Sequence, residues 1–229
     1  MSFTERCIAD SLTIWEQCLN SPFLQKLENG TLDPECFLGY IVDDSLYLRE
    51  YAKVFAWGMT KAATMADIRT CYSLLSFVNE GEGSTRLYYL DQYGVRDEDI
   101  QNLPQRPENR AYTQCMIDAA INGGMAECMM ACLPCMLSYG WIFQRLLSRS
   151  PSVQDTPYWP LVRDYAGEGY EAACKDWADA ADRLCTDLTP ERQESCLQIF
   201  HSCSVHELHF WEMSDKPRTD ISISRPQIP

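Results

Sequence analysis

The sequence predicts an all-α fold, and three observations carry that expectation. Apolar residues recur at spacings of three and four through most of the chain, which is the period of a helix face. The alternation of apolar and polar residues that marks half-buried strands is hard to find. Pro at helix-start positions and Gly or Asn after the apolar runs punctuate the chain as helix boundaries do.

The first helix is expected from Phe3 to Leu19, with Ile8, Leu12, Trp15 and Leu19 on one stripe, and Asn20-Ser21-Pro22 ends it. In the second, Asp33 caps free amides and Pro34 takes the first helical position, where its missing N–H costs nothing. It continues to about Ala62. A third runs from Met65 to Glu80; Gly81-Glu82-Gly83-Ser84 then weakens or kinks the chain before Thr85–Tyr93, and Gly94 closes that unit. After a loop around Pro104 and Pro107, a helix spans Glu108 to Ile121 and Gly123-Gly124 breaks it. The strongly apolar run from Met125 to Leu147 follows, bent locally by Pro134. Shorter helices are expected at Tyr158–Tyr165 and Tyr170–Leu184, and a last one from Pro190, behind Thr189, to about Met213. Residues 1–215 read as one helical domain, and residues 216–229, with three prolines, as a C-terminal arm or disordered tail.

Composition excludes several classes of function. The 229 residues carry 19 Lys+Arg against 33 Asp+Glu, a net charge of −14 that repels phosphate backbones and anionic membrane surfaces. No nucleic-acid partner is expected, since the basic residues are scattered rather than striped. The start Met1-Ser2-Phe3-Thr4-Glu5-Arg6 leads into an amphipathic segment unlike a signal peptide. The longest uncharged stretch, Cys128 to Gln144, is short for a bilayer and interrupted by Pro134, Ser138 and Gly140, so no membrane span is expected. A cytoplasmic location follows, with the 12 cysteines reduced and serving mostly as small hydrophobes.

Polar groups placed where the helical period demands apolar ones are the informative positions, because burying an unpaired carboxyl costs several kcal/mol. Tyr40, Asp44, Tyr47 and Tyr51 follow spacings of four, three and four, which sets Asp44 within an aromatic stripe suited to a flat heterocycle. The alternative is a solvated acid beside Asp43. Leu197, Phe200, Ser204, Glu207 and Trp211 share a face of the last helix, so Glu207 also falls within a core stripe, where a raised pKa makes it a general acid. Its alternative is an exposed helix end. Cys135 and Tyr139 lie one turn apart just after Pro134, whose missing donor loosens the turn from which the thiol projects.

A lone helical Cys is more often core, and Cys132-Leu133-Pro134-Cys135 also fits a redox pair, though no βαβ pattern accompanies it. Cys203, His206 and His209 offer a metal-ligand spacing with no second cluster to match. The paired Glu-x-x-His motifs of a di-iron bundle are absent, so no metal is expected. No Gly-rich phosphate cradle is present, and no cofactor is expected either.

These same positions resemble the TenA/thiaminase II family of aminopyrimidine hydrolases, nearly end to end. Tyr40-Ile41-Val42-Asp43-Asp44-Ser45-Leu46-Tyr47-Leu48 is similar to the family's Y-x-x-Q-D-x-x-Y-L, with Asp43 replacing the usual Gln. Ala111-Tyr112-Thr113 resembles the segment bringing another tyrosine to the pocket. Leu133-Pro134-Cys135 with Tyr139 matches the P-C-x-x-x-Y nucleophile motif, the most specific of the five. Leu161-Val162-Arg163-Asp164-Tyr165 is similar to W-I-x-x-Y, with Leu161 for the tryptophan, and Glu207-Leu208-His209-Phe210-Trp211 resembles the terminal E-x-x-F-W.

The resemblance implies a haem-oxygenase-like helical bundle and a homo-oligomer, commonly a tetramer. It implies Cys135 as nucleophile and Glu207 as catalytic acid, with Asp44, Tyr47, Tyr112, Tyr139, Tyr165, Tyr40 and Phe210 around an aminopyrimidine. The reaction implied is release of ammonia from 4-amino-5-aminomethyl-2-methylpyrimidine in thiamin salvage, or cleavage of thiamine itself. Two other readings stand beside it: a non-hydrolytic pyrimidine binder on the same scaffold, and a metal- or redox-responsive regulator using Cys128, Cys132, Cys135 and Cys203.

Overall fold

The helices predicted by periodicity form, and each boundary has a local cause. The structure is a computed structural model that describes residues 1–77 and 83–221, and no strand occurs among these residues. Helix α1 (Phe3–Leu19) starts in a capping box, in which the Ser2 hydroxyl accepts from the Glu5 amide while Glu5 accepts from the Ser2 amide. Helix α2 (Pro22–Glu28) was not expected. Ser21-Pro22 ends α1 and also starts a new helix, with Ser21 as cap and Pro22 in the first turn.

Helix α3 (Pro34–Lys61) begins at the expected Asp33 cap. Helices α4 (Met65–Phe77) and α5 (Gly83–Gln92) follow, and the kink expected around Gly81 and Glu82 lies outside the described residues. Gly94 closes α5 at φ 66°, a left-handed conformation in which a side chain is strained. A single-turn helix α6 (Asp97–Ile100), too short for a periodic signal, precedes α7 (Pro107–Asn122). Helix α8 (Met125–Arg149) is capped by Glu127, which accepts from the Gly124 amide and pairs with Arg192 of the last helix. A short 3-10 turn, Pro151–Asp155, was also missed; helices α9 (Trp159–Ala166), α10 (Glu168–Cys185) and α11 (Pro190–Ser214) complete the chain.

Helix α8 occupies the middle of the bundle, packed against α3, α7, α9, α10 and α11. Every residue from Ala126 to Gly140 is buried, as expected of a helix that is apolar on all sides. It is long and apolar enough to cross a membrane, yet 89 % of its apolar window is buried inside this protein. Pro134 sits within it without ending it, and Tyr51 of α3 donates to the Cys132 carbonyl at 3.0 Å in the preceding turn. Around this axis lies one aromatic core, in which Trp211 stacks on Tyr40 at 5.5 Å and meets Tyr139 at 5.0 Å and Phe23 at 5.7 Å.

Beyond α11 the first part of the expected C-terminal arm is held against the bundle. Arg218 is buried there and reaches α3. Residues 222–229 lie outside the described residues.

At Gly140 the α8–α10 contact is so close that a Cβ would lie 3.0 Å from the Cys174 sulfur and 3.5 Å from the Tyr170 ring. A Gly140→Val substitution is expected to overpack this crossing and lower stability by about 1–3 kcal/mol. Urea unfolding measures it; an unchanged midpoint would show that α10 yields without cost.

Candidate active site

Five helices bring the candidate residues together on buried faces. The α3 register places Tyr40, Asp44, Tyr47 and Tyr51 along one buried face, as their spacing required. Helix α7 supplies Tyr112, α8 supplies Cys135 and Tyr139, and α11 supplies Glu207 and Phe210. Tyr165 comes from α9. All of these side chains are buried, with Glu207 only 1 % exposed and Cys135 and Asp44 each 9 %. The alternative readings of a solvated Asp44 and an exposed Glu207 therefore fail.

Glu207 is the hub. The Tyr112 hydroxyl donates to its Oε1 at 2.6 Å, and the Cys135 thiol lies within hydrogen-bond reach of its carboxyl. Burial pushes Glu207 from 4.5 up to about 8, while the Tyr112 and Cys135 contacts pull it down and the Asp44 charge pushes it further up. Asp44 is pushed from 3.8 to about 7, also by burial, with Arg86 opposing and Asp43 assisting. The site thus holds two acids that both titrate close to neutrality, each near enough to sense charge around it.

The tyrosines form the walls. Tyr47 and Tyr112 rings lie 5.0 Å apart, Tyr47 meets Phe210 at 5.9 Å, and Tyr139 meets Tyr165 edge-on at 4.9 Å. Burial raises Tyr47, Tyr112 and Tyr139 well above the ordinary phenol value, so all three remain neutral hydrogen-bonding groups. After burial, the charges of Tyr40, Glu207, Cys135 and Asp44 also push Tyr139 up.

Several neighbours escaped sequence reasoning. Met116, one turn after Tyr112, accepts from the Tyr47 hydroxyl at 3.5 Å. His206 stacks on Tyr112 at 5.5 Å and 12°, steadying the ring that serves Glu207. Arg86 faces Asp44 electrostatically and donates to Ser45 at 2.9 Å. Met116 at helical spacing reads as ordinary core, His206 stood out only as part of a metal-ligand spacing, and nothing in sequence singles out one arginine among many.

The metal and redox readings find little support in the geometry. Among the described residues no group of three or more His, Cys, Asp and Glu is placed to hold a metal ion. None of the 12 cysteines is in a disulfide. Burial raises Cys128 to about 12 and also raises Cys132 well above the ordinary thiol value, so these thiols are protonated and poor at exchange. Cys203 is raised by a hydrogen bond with Cys115 and by burial. Cys115, which belonged to no sequence reading, is depressed to about 5 through hydrogen bonds with Cys203 and His206.

Comparison with known proteins shows the family of the chain. The family profile described as TENA/THI-4/PQQC matches residues 9–216. A protein of Haemophilus influenzae without an assigned role is 30 % identical over 209 residues, covering 91 % of this chain and 97 % of that one. An aminopyrimidine aminohydrolase of Helicobacter pylori is 29 % identical, covering 93 % of this chain and 99 % of that one. Among solved structures, a TenA family transcription regulator from Silicibacter sp. TM1040 superposes with a TM-score of 0.84 at 25 % identity, covering 94 % of this chain and 97 % of that one.

The raised acids make stability depend on pH. Between 4.5 and about 8 the folded chain keeps the Glu207 proton that the unfolded chain releases, so stability falls as pH rises through that window; Asp44 adds the same sign between 3.8 and about 7. Tm measured from pH 5 to 9 is expected to decline in the parent and to decline less in Glu207→Gln. Parallel curves for the two proteins would show that Glu207 is ionised throughout.

Proposed function

The chain belongs to the TENA/THI-4/PQQC family, and from that premise we propose that it hydrolyses thiamin-related aminopyrimidines. The preferred reaction is release of ammonia from 4-amino-5-aminomethyl-2-methylpyrimidine to give the hydroxymethylpyrimidine, a salvage step, with thiamine as a second substrate. The observation that carries this reading is a thiol within hydrogen-bond reach of a dry carboxyl, in a hollow walled by neutral tyrosines.

In this mechanism the ring lies between Tyr47, Tyr112, Tyr139 and Tyr165, with Tyr40 and Phe210 behind them. Asp44 hydrogen-bonds the ring and amino nitrogens and polarises the heterocycle. Cys135 gives its proton to ionised Glu207 and its sulfur adds to an electron-poor ring carbon. The displaced ring electrons expel the amine from the exocyclic methylene, and Glu207 passes the proton to that leaving group. Ionised Glu207 then takes a proton from water as its oxygen adds to the methylene, the electrons return to the ring, and the departing Cys135 thiolate recovers that proton. A carboxyl titrating at about 8 can take and return a proton near pH 7, which a carboxyl at its ordinary 4.5 does poorly. The cycle consumes only water.

The enzyme is assigned to the cytoplasm and to a homo-oligomer, a tetramer by resemblance. Exposed Trp57, Met65, Tyr72, Leu87 and Tyr88 on α3, α4 and α5 supply apolar surface for such contacts. Sedimentation is expected to show a species of four chains, and a monomer at micromolar concentration would refute the assembly.

Cys135→Ser is expected to abolish ammonia release, and Glu207→Gln to lower kcat by about 10²–10⁴-fold. Both are read in single-turnover assays with the aminomethylpyrimidine and with thiamine. A Cys135→Ser enzyme working at the parent rate removes the nucleophile, while substrate binding without turnover by the parent favours a pyrimidine binder instead.

A further inference from the structure

Asp43 is adjacent to Asp44 but faces a different environment. It is fully buried, and two arginines from remote segments close on its carboxylate. Arg106 Nε donates to Oδ2 at 2.7 Å, and Arg218 Nη1 donates to Oδ1 at 2.5 Å. Each guanidinium also ties down backbone. Arg106 Nη1 donates to the carbonyls of Met213 at 3.0 Å and Lys216 at 2.8 Å, where α11 ends. Arg218 Nη2 donates to the Pro104 carbonyl at 2.8 Å, in the loop before α7. Asn109, in the first turns of α7, donates to the Asp43 carbonyl at 2.8 Å.

The cluster balances its own charge. Asp220 holds Arg218 from its outer side at 2.9 and 2.7 Å, so two carboxylates face two guanidiniums. The backbone of the arm passes close to α3 because residue 39 is glycine; a Cβ there would stand 3.3 Å from the Arg218 amide nitrogen. A buried ion cluster of this kind adds little net stability, because desolvation offsets the Coulomb gain. What planar, forked guanidiniums supply is fixed direction between the segments that they join.

The three joined segments are those that carry the reacting groups. Asp43 shares a helix turn with Asp44 and lies one turn before Tyr47. Arg106 and Asn109 introduce the helix bearing Tyr112. Met213 and Lys216 terminate the helix bearing Glu207 and Phe210. We infer that Asp43, Arg106 and Arg218 form an ionic clasp of positioning residues, which sets the C-terminal end of α11 against α3 and α7 and so aligns Glu207 with Tyr112 and Cys135. The clasp touches no substrate. Its kinetic consequence rests on the hydrolase reading, but its mechanical consequence does not.

The test compares Arg218→Met, Arg218→Lys, Asp43→Asn and the double variant Asp43→Asn/Arg218→Met in the full chain. Two readouts are taken: kcat and KM for 4-amino-5-aminomethyl-2-methylpyrimidine, and amide hydrogen exchange by mass spectrometry. Arg218→Met is expected to lower kcat about tenfold or more with KM within about threefold of the parent, since misplaced groups slow chemistry more than binding. Exchange is expected to rise at residues 207–214 and to stay at the parent level in α8. Arg218→Lys should recover part of kcat, and the double variant should be less impaired than Asp43→Asn, which leaves two arginines facing each other.

A kcat within about twofold of the parent in Arg218→Met, or exchange raised equally in every helix, overturns the clasp. If Arg218→Met does not fold, Arg218→Lys decides by the same kcat and KM split. A parent chain inactive on the aminopyrimidine overturns the hydrolase reading alone, and the exchange at 207–214 then decides the clasp by itself.

Discussion

One hydrogen bond of 2.6 Å, from Tyr112 to Glu207, depends on everything around it being dry. In water that contact would compete with solvent and Glu207 would titrate as an ordinary carboxyl. Inside the bundle, burial holds it at about 8, where a proton can be gained or lost near neutrality. Trp211, one turn further along α11, is fully buried among Tyr40, Tyr139 and Phe143, so the same helix that presents the acid also seals it. The aromatic content of the core thus supports packing and also sets the protonation of the site.

Asp43 and Asp44 show how finely such burial is partitioned. The two residues are neighbours in sequence and both are inaccessible, yet their partners differ completely. Asp43 is met by Arg106 and Arg218 and behaves as a buried ion pair. Asp44 faces the charge of Arg86 and is pushed up to about 7 by desolvation. A helix turns about 100° per residue, so consecutive side chains address different neighbours. One acid is therefore held in an ion-paired framework and the other lies on the face that carries Tyr40, Tyr47 and Tyr51.

Much of this architecture is legible from periodicity. The long helices were predicted within a few residues of their observed ends because caps and prolines mark them chemically. The helix Pro22–Glu28 was not, because Ser21-Pro22 reads as a terminator and also initiates a helix. The single turn Asp97–Ile100 and the 3-10 turn Pro151–Asp155 span too few residues for a period to emerge. Asp44 and Glu207 were legible for the opposite reason: each interrupts an apolar stripe long enough to make the interruption visible. Met116 conforms to its surroundings and carried no signal, while His206 stood out only as a metal-ligand spacing and not as the ring that stacks on Tyr112.

The sequence by itself determined which face of each helix turns inward and which acids, thiol and tyrosines lie on those faces. Only the tertiary structure decided which faces meet. It paired Tyr112 with Glu207 across 95 residues, and brought Asp43 to Arg106 across 63 residues and to Arg218 across 175. The physical reason is that helical periodicity is a local property of the backbone, whereas desolvation and ion pairing depend on whatever segment arrives from elsewhere in the chain. A carboxyl on an inward face can become a buried salt bridge or a proton carrier, and the arriving neighbour selects between them.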